Sequence, residues 1–282
     1  AEVAPADVEA GERLDYNCNP EVDKDGDNIP DNLDVEGPID WSNCDLFGLN
    51  LSNLKLSGAD LSYSSLYAAD ISNTDLSGAN LSHAQIYKAN ITNTNFKYAN
   101  LSYANLCGAG SESAGSPTPG IGYAAFDFTG ANLSHADLDH TYLMHADLTD
   151  TTVTYTNFHD ANMIYVDLSD KDLTGTILTG ADLSNANLTG IDLSGKDLTG
   201  TILTGADLSD TLLLDANLTG ANLQNADLKR ALLVDANLSN VILTGADLSQ
   251  AILTNAILTG ANLENAILTN TILNCIGHSI CI

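Results

Sequence analysis

The chain has 282 residues, of which 44% are hydrophobic but only 6% aromatic, and it carries a formal charge of -28. That charge repels phosphate backbones and anionic lipid, so direct nucleic-acid binding is excluded as an expectation. A polar residue interrupts every few positions, and no run approaches the roughly eighteen continuous apolar residues of a membrane helix.

Residues 1–41 precede any regular pattern. The chain opens Ala1-Glu2-Val3-Ala4-Pro5 without an initiator Met, as a cleaved leader or a trimmed piece would leave it. Within the segment, residues 23–34 place Asp at loop positions 1, 3, 5, 9 and 12, the arrangement by which a twelve-residue loop wraps a hard cation in oxygen ligands. The stretch is similar to the aspartate-rich calcium loops of thrombospondin type 3 and dockerin-like repeats. That resemblance implies Ca2+ held by Asp23, Asp25, Asp27, Asp31 and Asp34, with the Ile29 carbonyl as a sixth ligand. Gly26 at position 4 and an Asp at position 12 depart from the helix-flanked calcium loop but agree with the dockerin-like one. The alternative is an acidic linker, in which five carboxylates repel one another without a metal.

From Leu46 an apolar residue returns every fifth position through Leu51, Leu56 and Leu61 to Leu106, giving thirteen consecutive units. The beat resumes at Phe128 and runs to Leu273, giving thirty more. Two residues before each centre lies a mostly small residue, such as Ala59, Ala79, Ala131 or Ala221, so the unit reads A-(D/N)-L-(S/T)-x. A period of five fits neither the 3.6-residue helix nor the two-residue strand, and the chain must turn a corner in every unit. The pattern resembles the pentapeptide-repeat family over roughly residues 42 to 275. This resemblance implies an all-β fold, a right-handed quadrilateral β-helix in which four units make one square coil and the centre and small residues point inward. At a strand spacing of about 4.8 Å, forty-three units make roughly eleven coils and a rod about 50 Å long. Each coil buries its core only against its neighbours, so stability is nearly one-dimensional and the ends are vulnerable.

The expected division is therefore an N-terminal segment to 41, repeats over 42–106, a Gly/Ser/Pro-rich loop over 107–125, repeats over 126–275 and a tail over 276–282. Leu106 and Phe128 lie 22 residues apart, two more than a whole coil of twenty, so the segment either replaces one coil or bulges out between two. It is read as an interaction loop or a flexible insertion.

Two small slots hold Lys171 and Lys196 inside near-identical stretches. A buried ammonium without an acid is costly, so each Lys is expected to extend outward or cap interior carbonyls. A reactive lysine is the sharper alternative, although no inward His or carboxylate is placed to activate it.

Residues twenty apart are expected to stack. Leu212, Leu232, Ile252 and Ile272 then form one column at the outward site before the centre, flanked by Leu214 and Val234. Such a stripe is a candidate protein interface or a ridge covered by a C-terminal segment. Tyr63, His83 and Tyr103, with His135 over Tyr155 and His145 over Tyr165, are expected to form aromatic ladders. Four of the five cysteines flank the array. Cys44 is either a small core residue or a partner of Cys18, and Cys275 with Cys281 is the second candidate disulfide, leaving Cys107 free or open to another chain.

Nothing resembling a nucleophile elbow, phosphate loop or zinc-protease motif occurs, and the chain is read as non-enzymatic. The leading expectation is a secreted or cell-surface structural or adhesive rod that self-associates, with end-to-end stacking into a filament. The other follows from the family resemblance: an acidic DNA mimic that binds a type II topoisomerase.

Overall fold

A computed structural model describes residues 39–106 and 128–281. The Asp23 to Asp34 loop, Cys18, Cys107 and the 107–125 segment lie outside the described residues.

One unit shows why the sequence closes into a coil. The N–H of Ala79 donates to the carbonyl of Leu76 (3.0 Å), tightening the corner, and Asn80 N–H donates to Ala59 O in the coil below (2.9 Å). Leu81 N–H and His83 N–H donate to Asn100 O and Ser102 O in the coil above, at 2.6 and 2.9 Å. The remaining donor, Ser82 N–H, is taken by the side-chain oxygen of Asn80. All five backbone donors of the unit are thus satisfied, which is the requirement for packing backbone this densely. Asp or Asn precedes the centre because its side chain supplies the fifth acceptor.

Parallel bridges join residues twenty apart, as in Asp60 to Asn80 to Asn100, so four units complete each coil. The bridges are single residues, and no continuous strand forms among the described residues. Corners consume two residues of every five, leaving too little straight backbone for a longer strand. The last corner residue takes a left-handed conformation, with φ of 57° at Asn73 and 58° at His83. Asn, Asp and Gly recur there because they enter this region most cheaply.

The centres form one core from end to end, with Leu46, Phe96, Phe128, Phe158, Leu208 and Leu258 all fully buried. Burying each such side chain stabilises by about 2 kcal/mol. Trp41 lies five residues before Leu46 and is buried at the same inward position, so the coil already includes it and extends further toward the N-terminus than the expected boundary. Threonines in the small slot are satisfied internally, since Thr74 and Thr94 donate to the carbonyls of Leu51 and Ile71 at 2.7 Å.

Across the interruption Asn95 pairs with Asn132, Asn100 with Asp137 and Asn105 with Tyr142, each 37 positions apart instead of 20. Phe128 therefore takes the face that follows Leu106 directly, and 17 residues are surplus to the coil, which is not replaced. At the other end Ile257 pairs with Ile276, a step of 19, after which the chain leaves the coil.

Candidate interaction surface

The repeat geometry makes the residue before each centre an outward bridge residue, and in 39–106 these are mostly Asp and Asn. In the second block isoleucine or leucine takes the site at Ile177, Ile202, Leu212, Leu232, Ile242, Ile252, Ile257, Ile267 and Ile272. An aliphatic side chain offers no acceptor, so the turn donor that Asn80 serves elsewhere goes without its side-chain partner. Each such unit gives up a local hydrogen bond and places an apolar group in water. Violations of this kind concentrate where a surface is used.

Four of these positions are stacked directly. Asp192 bridges Leu212, which bridges Leu232, then Ile252, then Ile272, giving an unbroken aliphatic column along one face. Leu212, Leu232 and Ile252 are half-buried among their neighbours, and Ile272 is 50% exposed. Leu214 and Val234, one position past the centres, widen the column on one side. The other isoleucines were not singled out from the sequence, although they sit at the same place in the unit. At the last coil Ile267, Ile272 and the Ile257–Ile276 pair place isoleucine on three faces.

Among the described residues no further coil stacks on the last one. Leu263, Leu268 and Leu273 are only partly buried, and among the described residues their N–H groups have no backbone acceptor. Cys275 and Cys281 are joined by a disulfide that ties the final turn beside this end. Ile280 and Cys281 pack against the core there. Cys44 is buried and disulfide-bonded, and its partner lies outside the described residues.

A second column is acidic. Asp167, Asn187, Asp207, Asp227 and Asp247 bridge in series on one face. Lys229 neutralises part of it, with Nζ 2.6 Å from Asp227 and 3.3 Å from Asp247. At the same corner Arg230 makes a bidentate pair with Asp210, Nε at 2.6 Å and Nη2 at 2.5 Å.

Around Lys171 and Lys196 the ladder lapses. Among the described residues no bridge joins Asp147 to Asp167, Thr152 to Asp172, Asp172 to Asp192 or Ile177 to Asp197. The Lys196 ammonium instead donates to Thr176 O at 3.1 Å, and burial pushes this amine below its ordinary value against the pull of Asp172 and Asp192. The opening between coils forms a cleft of about 700 Å³ lined by Thr149, Asp150, Val153, Tyr165, Asp170 and Lys171. No nucleophile and base are paired in it.

The aromatic ladders occupy left-handed corner positions. Tyr63 stacks on His83 (4.5 Å between centroids), His83 on Tyr103 (4.9 Å), His135 on Tyr155 (4.8 Å) and His145 on Tyr165 (4.7 Å). The ladders also cross the interruption, Tyr103 on His140 at 4.7 Å and Tyr98 on His135 at 4.8 Å, which the sequence conceals because the register there is not 20. Ring stacking offsets the cost of holding bulky residues at positive φ. His140 and His159 each bring Nε2 to 3.4 Å from one Asp160 oxygen. Among the described residues no group of three or more His, Cys, Asp or Glu is arranged to hold a metal ion.

This combination of a five-residue beat, four-unit coils and left-handed corners defines a pentapeptide-repeat coil, and the pentapeptide-repeat family model matches residues 39–62, 75–109, 127–163, 156–195, 197–230 and 231–270. The chain belongs to that family, whose members are generally structural or interaction proteins. HetL, a pentapeptide repeat protein involved in heterocyst differentiation regulation in the cyanobacterium Nostoc, is 28% identical over 84% of this chain and 90% of its own, with a TM-score of 0.44. A pentapeptide repeat protein of the cyanobacterium Cyanothece is 35% identical over 44% of this chain and 90% of its own, with a TM-score of 0.26. QnrB1, a plasmid-mediated fluoroquinolone resistance protein, is 18% identical over 79% of this chain and 90% of its own, with a TM-score of 0.27. No curated protein matches the chain.

Proposed function

We propose that this chain is a non-enzymatic rod that works by protein contact and associates with copies of itself. The observation that carries the reading is the aliphatic column Leu212, Leu232, Ile252 and Ile272, built at sites where the fold otherwise prefers Asp or Asn. Exposed apolar stripes of this length are uncommon on soluble surfaces without a partner. The last described coil, whose leucines are partly buried and whose N–H groups find no backbone acceptor among the described residues, supports a second, end-to-end contact by the same strand-pairing chemistry that joins coils within the rod. In this reading the rod serves as an extracytoplasmic structural or adhesive element. Ca2+ held by Asp23, Asp25, Asp27, Asp31 and Asp34 steadies its N-terminal segment.

Light scattering over a concentration series tests the reading. The parent chain is expected to exceed the mass of one copy, and Leu232→Asp with Ile252→Asp to return it to one copy while circular dichroism is unchanged. A parent chain that stays single at all concentrations refutes it. Calcium is tested separately by titration calorimetry, with Asp27→Asn expected to weaken binding at least tenfold.

The acidic column from Asp167 to Asp247 favours one other reading, a DNA-like surface that engages a type II topoisomerase. A supercoiling assay separates the two, since a mimic inhibits or protects the enzyme and a self-associating rod leaves it unaffected.

A further inference from the structure

We infer that two copies pack side by side with their axes parallel and their coils in register, joined face to face along the Leu212 to Ile272 column. This rests on the self-association reading and specifies its geometry.

The two borders of the column differ in charge. On one border the corner residues, in order along the rod, are Asp210, Arg230, Gln250 and Asn270; on the other they are Asp215, Asp235 and Asn255. Arg230 and Asp210 compensate each other, and Lys229 adds a cation behind them. No cation pairs with Asp215 or Asp235 among the described ion pairs. One border is therefore close to neutral with an arginine at its centre, and the other carries two exposed carboxylates.

Two symmetric arrangements bury the column against itself. A two-fold axis perpendicular to the rods makes them antiparallel and sets each border against its own kind. The acidic borders then share one side of the contact, and Arg230 meets Gln250 or another Arg230. A two-fold axis along the rods makes them parallel and sets each border against the other. Arg230 of one copy then stands level with Asp235 of the second, and the symmetry makes that pair twice. Because both chains carry a charge of -28, any contact must overcome net repulsion, and the arrangement that supplies two opposite-charge pairs is favoured. Faces packed about 10 Å apart lie within reach of an arginine side chain.

The parallel register also keeps every apolar position against its own copy, Leu212 on Leu212 through Ile272 on Ile272. Antiparallel packing achieves self-contact at no more than one level of the column.

Single-cysteine variants Leu212→Cys, Leu232→Cys and Ile252→Cys test this under mild oxidation, with the linked peptides identified by mass spectrometry. All three are expected to link to the same position of a second copy. In parallel, Arg230→Asp and Asp235→Arg are each expected to weaken the dimer at least tenfold by sedimentation, and the double variant to recover most of the loss. A dimer that links at only one of the three positions, or is indifferent to the charge variants, overturns the parallel register and leaves self-association standing. A chain that neither sediments as a dimer nor cross-links overturns both.

Discussion

The Lys196 ammonium donates to the carbonyl oxygen of Thr176, 3.1 Å away and one coil below. In an ordinary unit that carbonyl accepts a backbone N–H, as Ala181 O does from Ile202 and Ala186 O from Asp207. Here a side chain has displaced the backbone, and the bridge between Ile177 and Asp197 is missing. The small slot elsewhere takes Thr without loss, and Thr201 is fully buried with its hydroxyl bonded to Leu198 O. Lys196→Thr is therefore expected to close the ladder and stabilise the rod by about 1 kcal/mol, roughly 2 to 4 °C in Tm. Hydrogen exchange at Asp197 and Leu178 should slow; faster exchange would show that the lysine supports the coil.

The same lysine sets an alkaline signature. Burial holds its pKa below the ordinary 10.5, so between the two values the unfolded chain binds more protons than the folded one. Stability is then expected to rise with pH as pH approaches 10.5 from below, and Lys196→Thr to remove that rise. Thermal melts of the two proteins from pH 8 to 10.5 measure it.

At the acid end the slope has the same sign, again because the folded values are depressed. The Thr149 hydroxyl and backbone N–H hold Asp147 below the usual carboxylate range, and Ser194 does the same for Asp192. The unfolded chain has no such donors, so the stabilisation is complete above a pH of about 4 and is lost as pH falls through the depressed folded values. Melts from pH 5 to 2 are expected to show falling Tm over that window. Asp147→Asn keeps an acceptor without the charge and should flatten the slope.

The square coil and its inward residues were legible because the five-residue beat encodes them directly: Leu81 and Ala79 point inward for the same reason as forty other pairs. Trp41 was also there to be read, five residues before Leu46, but a single Trp among acidic residues does not look like a leucine centre. The continuity of the coil past residue 107 was hidden, since pairing across an insertion depends on packing that no local pattern records. The aliphatic column was visible as a departure from Asp and Asn. Its energetic meaning was not, because the lost acceptor becomes apparent only once Asn80 is seen holding the Ser82 N–H. The effect of Lys171 and Lys196 was half legible: capping of a carbonyl follows from side-chain length, whereas the lapse of the ladder around them depends on how closely neighbouring coils are stacked.

One-dimensional packing makes the cost of a core substitution depend on position. Leu218 is fully buried with coils on both sides, and Leu218→Ala is expected to cost about 3 kcal/mol. Leu273 is half-buried with a coil on one side only, and the same change there should cost less than about 1 kcal/mol. Denaturant melts of the two variants give the comparison, and equal losses would show that the rod unfolds as one block without fraying.

The Cys275 to Cys281 bond governs that fraying. It closes a short loop that contains Ile276, which exchanges two backbone bonds with the preceding coil, donating to Ala256 O and accepting from Leu258 N–H, both at 2.8 Å. These are the final rungs of the ladder, and nothing beyond Ile276 continues the coil among the described residues. A loop of this size restricts the open state by about 2 kcal/mol on the chain-entropy model. Cys281→Ser should therefore speed amide exchange at Leu258 and Ile276 roughly thirtyfold, by that same free energy. Amides near Leu218, eleven units inward of Leu273, should be unaffected, because each coil transmits stability only to its neighbours. Exchange that accelerates evenly along the rod would mean that the disulfide acts on the whole array.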